Sequence, residues 1–153
     1  MSESKVNKEL LEKEYFHLQS VIQNFDSKSL TIKAWSVSIA GGIAGSSAIV
    51  EKSEILLFAA LVSLMFWFID GSWKSFQYAN YRRIWDIEKY MRGACDDIDV
   101  LQMANSWSSS YHSQQLKRMV KILFWPYVLL PHFAMSVLLG AIYCVNEFLI
   151  VQF

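Results

Sequence analysis

Between Ala34 and Ile69 this sequence places charge at a single point. Ala34–Val50 and Ile55–Ile69 carry no charged residue, and only Glu51-Lys52-Ser53-Glu54 separates them. Hydrocarbon expels charge, and within it a helix satisfies its own backbone. Two uncharged apolar segments joined by a short polar turn therefore predict two transmembrane helices folded back on each other. The question of function then moves from chemistry in water to events at a bilayer.

The composition agrees. Of 153 residues, 54% are apolar and 18% are charged, whereas soluble domains average roughly 25% charged. The length suits one compact unit rather than two independent cores. Lys+Arg and Asp+Glu number 14 each, so the distribution of charge informs and its sum does not. Cys95 and Cys144 fall in segments expected at different sides or depths of the membrane, which argues against a disulfide. The first thirty residues are polar and lack the apolar core of a signal peptide. The first span is thus expected to act as its own uncleaved insertion signal.

The expected organisation is an all-α membrane protein. Residues 1–29 form a cytoplasmic N-terminal helix, 30–71 the transmembrane hairpin, 72–121 a cytoplasmic helical region, and 122–153 an interfacial approach and a third transmembrane helix. In the N-terminal helix, over 5–25, Leu11, Tyr15, Leu18, Ile22 and Phe25 follow the 4-3-4-3 spacing of a coiled-coil seam. That seam fits either a partner helix or the chain's own cytoplasmic part. Asp26-Ser27-Lys28-Ser29 reads as a break rich in N-cap residues. The second span is bulky and must run on through Gly71-Ser72-Trp73 to cross, because 15 residues at ~1.5 Å each reach only about 22 Å. No proline interrupts 72–104, and apolar residues recur there at helical spacing, so a long amphipathic arm is expected. Residues 105–110 read as a serine-rich loop and Tyr111–Lys121 as a short helix. Pro126 and Pro131 oppose one straight helix at the last segment's start, which places the third span over about 129–150.

Orientation follows from the basic residues. Five lysines precede the first span, one lies in the turn, eight Lys/Arg lie between Lys74 and Lys121, and none follow. The positive-inside rule puts the N-terminus and the arm in the cytoplasm and the C-terminus outside.

Three groups of residues stand out. In the first span Ser38, Gly42 and Ser46 form a small, partly hydroxylated row, beside a Gly41/Gly45 GxxxG pair. Such faces let helix backbones approach closely. They suit tight packing on the second span, or an oligomer axis and pore. Asp70 lies at the inner membrane boundary, where an ionisable residue is a candidate gate; a snorkelled carboxylate, or one paired with Lys74, is the plainer reading. The arm mixes cations and rings: Lys74, Tyr81, Arg82, Arg83, Trp85, Lys89 and Arg92, with Lys117 and Arg118 beyond. Cations neutralise phosphate and flat rings stack on bases, which is the composition of a nucleotide or oligonucleotide groove. Anionic lipid headgroups would draw the same cations. No nucleophile elbow, phosphate-binding loop or metal-ligand spacing is found. His17, His112 and His132 read as structural or solvated, and no cofactor or enzymatic activity is expected.

The run Asp26-Ser27-Lys28-Ser29-Leu30-Thr31-Ile32-Lys33-Ala34-Trp35-Ser36-Val37-Ser38, then Phe66-Trp67-Phe68-Ile69-Asp70-Gly71, then Lys74, Gln77, Tyr81-Arg82-Arg83 and Glu88, resembles small bacterial membrane proteins of the SLATT-like type. These are the pore-forming effectors of anti-phage systems, the Hailong type among them. The resemblance covers about residues 26–90. It implies a homo-oligomeric channel held silent until infection and controlled by a nucleotide, or by a single-stranded DNA oligomer made by a partner nucleotidyltransferase. With no separate sensor domain, the helices themselves would have to read that ligand. The competing expectations are a non-conducting membrane anchor that recruits a soluble partner through the 11–25 seam, and a soluble bundle with the apolar segments as its core.

Overall fold

In the computed structural model, residues 3–113 and 115–151 are described; among them every regular element is helical and no strand occurs. The elements are α1 (Glu3–Val50), α2 (Glu54–Met91), α3 (Met103–His112), α4 (Gln115–Leu123) and α5 (Pro126–Val151). Helices α1 and α2 each contribute to two compact units. One unit comprises residues 3–27 and 73–119, the other 28–72 and 120–151.

Local chemistry sets the ends of the long helices. α1 closes on a Schellman motif: Glu51 takes a left-handed conformation (φ 55°), and the Lys52 amide donates to the Ser47 carbonyl at 3.2 Å. α2 closes the same way. Gly93 has φ 71°, its amide donates to Tyr90, and the Ala94 amide donates to Lys89, both at 2.9 Å. Glycine tolerates that φ without a Cβ clash, so the arm helix ends at Met91 rather than running to 104. Asp26-Ser27-Lys28-Ser29 does not break α1. Asp26 pairs with Lys74 and Ser29 bonds Asp70, so these would-be caps serve tertiary contacts. Residues 105–110 are helix rather than loop. Trp107 stacks on Tyr111 one turn on (5.0 Å between centroids, 6° between planes), and its indole N–H donates to the Phe76 carbonyl at 3.2 Å. Packing there outweighs serine's weak helix propensity. α5 starts with Pro126 in its first turn, where the missing N–H costs nothing, and continues through Pro131.

In the first unit the core is Leu11, Leu18 and Ile22 of α1 against Ile84 and Ile87 of α2. Tyr15, Tyr81, Ile98, Val100 and Met103 pack around it. The coiled-coil-like seam is thus occupied by its own arm. Buried polar contacts fix the register. The Gln77 amide donates to the Ile22 carbonyl at 2.9 Å and accepts from Lys74 at 2.8 Å. Arg83 makes a two-pronged pair with Glu14 at 2.7 and 2.9 Å and also donates to the Asp99 carbonyl at 2.6 Å. Glu14 in turn accepts from the Leu101 amide at 3.0 Å, tying down the irregular 92–102 segment.

In the second unit Ala40 of α1, Leu56 and Ala59 of α2 and Leu139 of α5 form the core. Gly71 allows close approach, because the Leu123 side chain fills the place its Cβ would take. The Trp67 indole donates to the Leu123 carbonyl at 2.9 Å. Two helices are long and apolar enough to cross a membrane, Glu54–Met91 and Pro126–Phe148, each reaching a mean hydropathy of 2.0. Only 33% and 22% of their apolar windows are buried. Phe58, Leu61, Met65 and Phe68 on α2, and Phe133, Val137, Leu138 and Phe148 on α5, face outward, unlike the core helix of a soluble protein. The 34–50 stretch of α1 is not among these candidates, since its glycines and serines dilute its hydropathy.

Candidate functional site

Helical spacing builds a buried ionic cluster inside the second unit. Ser29, Lys33 and Ser36 lie four and three residues apart and share one face of α1. Ser63 and Asp70 are two turns apart on α2, and His132 comes from α5. Lys33 Nζ contacts Asp70 Oδ2 at 2.5 Å and Ser29 Oγ at 2.7 Å, while Ser29 Oγ donates to Asp70 Oδ1 at 2.5 Å. His132 Nε2 stands 3.6 Å from Asp70 Oδ2, and its Nδ1 lies 2.8 Å from Ser36 Oγ. Ser36 Oγ is 3.4 Å from Ser63 Oγ, which donates to the His132 carbonyl at 3.0 Å. Asp70, Ser63 and His132 are fully buried and Ser36 nearly so. A carboxylate and an ammonium out of water are tolerated only with such a shell of partners.

Asp70, the candidate gate, had a snorkelled carboxylate or a pair with Lys74 as its plainer readings; it is buried and its partner is Lys33. Lys74 points to Asp26 and Gln77 instead. His132 was expected to be structural or solvated, and it sits in this cluster beside the candidate gate. The signal was legible in part, since Lys33, Asp70 and His132 are ionisable residues bordering apolar helices. Which of them would meet depended on the packing of α5. Ser36, His132 and Asp70 line up in the order of a hydrolytic triad, but Ser36 is 1% exposed. It lines neither the groove of about 570 Å³ beside Glu51 and Asn146 nor that of about 290 Å³ beside Phe16 and Met91.

The small face of α1 points away from the chain's own helices. Ser38, Gly41, Gly42 and Gly45 are exposed and Ser46 is half-buried. A Cβ at any of the three glycines would meet nothing within 4 Å. Inside the chain α1 packs through Ser36, Ala40, Ile43 and Ala44 instead, so tight packing of the glycine face on the second span does not occur.

The arm separates its cations. Arg83 and Lys74 are buried in internal pairs. Arg118 is half-buried; it donates to the carbonyls of Ser110 and Tyr111 at 2.7 and 2.8 Å, closing the C-terminus of α3. Its guanidinium lies 5.9 Å from the ring centroids of Tyr78 and Tyr111. Arg82, Lys89, Arg92 and Lys117 are exposed. Beside Arg82, Tyr78, Tyr81 and Trp85 form a ledge with centroids 5.9–6.2 Å apart, and Trp85 is 46% exposed. Burial, and then the negative charge of Asp26, raise the Tyr81 phenol above its ordinary pKa, so it presents a neutral ring. Helical spacing puts the exposed Arg82 and Trp85 on one face of α2, with the half-buried Tyr81 ring against Trp85, and Arg83 and Lys74 turn to the interior. Comparison of the chain with protein-family models, curated proteins and solved structures returns no match.

Proposed function

We propose that this chain is the protomer of an oligomeric membrane pore or ion channel, an effector gated from the cytoplasm by a nucleotide or oligonucleotide and acting in anti-phage defence by membrane depolarisation. The observation that carries this reading is the outward-facing Ser38, Gly41, Gly42 and Gly45 surface, open at every glycine. A helix face of that kind suits a second helix or a pore axis, and lipid gains little from it. In this reading the 34–50 part of α1 crosses the bilayer with α2 and α5. The N-terminus and the arm lie in the cytoplasm and the C-terminus lies outside. Asp70 and its partners hold the three spans at the inner boundary. A SLATT-like relationship accords with this arrangement.

The regulatory surface is narrower than composition alone implied. Arg82, Lys89 and Arg92, with the Tyr81 and Trp85 rings, offer phosphate neutralisation and base stacking. The alternative, a non-conducting anchor that recruits a soluble partner through its N-terminal helix, draws less support, because Leu11, Leu18 and Ile22 are spent in the unit's own core.

The test is reconstitution of the purified chain in planar bilayers, which is expected to yield discrete currents. Copurification checks the ligand: detergent-extracted protein should absorb at 260 nm, and Arg82→Glu/Lys89→Glu should lose most of that absorbance while keeping the fold. Protein free of nucleotide that binds vesicles of anionic lipid equally well in both forms would assign the arm to headgroups.

A further inference from the structure

We propose that His132 and Asp70 form a proton-binding site that ties α1, α2 and α5 together. The argument is a count of donors and acceptors. One chain of hydrogen bonds runs from His132 Nδ1–H to Ser36 Oγ, from Ser36 to Ser63, and from Ser63 back to the His132 carbonyl. In that arrangement Nε2 carries a lone pair. It is fully buried, has no hydrogen-bond partner, and stands 3.6 Å from a carboxylate oxygen. In the other tautomer the Nε2 proton faces Asp70, but Ser36 then spends its one proton on Nδ1 and the Ser36–Ser63 contact has none. Only the imidazolium supplies every one of these contacts with a proton, with Ser36 accepting at Nδ1 and Asp70 at Nε2. The cluster therefore has a place for one more proton than a neutral ring brings.

The ring itself meets Ser36 of α1 and Asp70 of α2; Asp70 also holds Lys33 and Ser29 of α1, and Ser63 of α2 bonds the His132 carbonyl. Lys33 already bonds Asp70, so a proton on His132 makes the carboxylate the shared anion of two cations. Charge-assisted N–H···O bonds close to about 2.8 Å, which draws α5 onto α2, while Ser36 holds α1 to the same ring. Protonation thus clamps the three helices. The consequence for gating rests on the channel reading: acidification favours the clamped, closed state. The proton site does not rest on that reading.

Two measurements separate the claims. Nitrogen-15 NMR of histidine-labelled full chain in detergent, in a His17→Gln/His112→Gln background, should show His132 Nε2 gaining a proton as pH falls. Asp70→Asn should shift that titration to more acidic pH. A ring that stays neutral throughout, or titrates identically in Asp70→Asn, overturns the site. In bilayers, current should fall on acidification by up to about tenfold per pH unit, the limit for one proton, and His132→Gln should be flat. Current that ignores pH in the unsubstituted protein overturns the gating consequence. An intact titration with no current at any pH upholds the proton site and removes the channel reading instead.

Discussion

Arg83→Leu is expected to destabilise strongly the unit built from residues 3–27 and 73–119. The substitution strips Glu14, 3% exposed, of its guanidinium partner and leaves it accepting from the Leu101 amide at 3.0 Å. It also removes the donor to the Asp99 carbonyl. Stranding one member of a buried pair costs about 3–5 kcal/mol, against a total stability of about 5–15 kcal/mol for a domain. Glu14→Leu/Arg83→Leu should recover more than half of that loss, because apolar groups of similar volume often replace a buried pair at little cost. Denaturant unfolding followed by tryptophan fluorescence reads both, and proteolysis of the 92–102 segment should accelerate in the single variant alone. A single-variant cost below about 1 kcal/mol would make the pair a surface one. The result bears on ligand binding too. Loss of nucleotide in an Arg83 variant reports a weakened fold, whereas Arg82 and Lys89 probe the surface itself.

Sequence reading succeeded where a local rule was also the tertiary rule. The polar turn between α1 and α2 (three residues, 51–53, since Glu54 already belongs to α2), the all-helical class and the seam at Leu11, Leu18 and Ile22 appear, because periodicity and charge exclusion act residue by residue. Gly93 was equally local, a left-handed C-terminal glycine, yet the apolar spacing beyond it suggested more helix than its φ allows. The misread loop at 105–110 has another cause. Serine's propensity was overruled by rings from α2 and α3 that meet only after folding. The ionic cluster was half visible. Asp70 drew notice as a boundary carboxylate, but its partners come from positions 37 residues earlier and 62 later, a match no spacing rule supplies. Likewise Arg82 and Arg83 are adjacent and chemically identical, and helical geometry alone sends one outward and one to Glu14.

Gly42→Leu is expected to abolish assembly and current while leaving the protomer folded. Gly41, Gly42 and Gly45 lie inside α1, where each glycine costs about 1 kcal/mol relative to alanine. Within the chain nothing offsets that cost, since no atom lies within 4 Å of where a Cβ would stand. Leucine should therefore fit the protomer and even favour the helix. Between two α1 helices in close contact it would force the backbones apart, and the dispersion contacts that drive association in lipid would be lost. Ala40→Leu is the opposite control. Ala40 is fully buried against Leu56, Ala59 and Leu139, so overpacking there should destabilise the fold by about 1–3 kcal/mol. Native mass in detergent, thermal melting and bilayer current then resolve the two faces of one helix. Gly42→Leu should give a monomer with an unchanged or higher melting point and no current, and Ala40→Leu a lower melting point. An intact oligomer that still conducts with leucine at position 42 would mean that the axis lies elsewhere, and that the open glycines of α1 face only lipid.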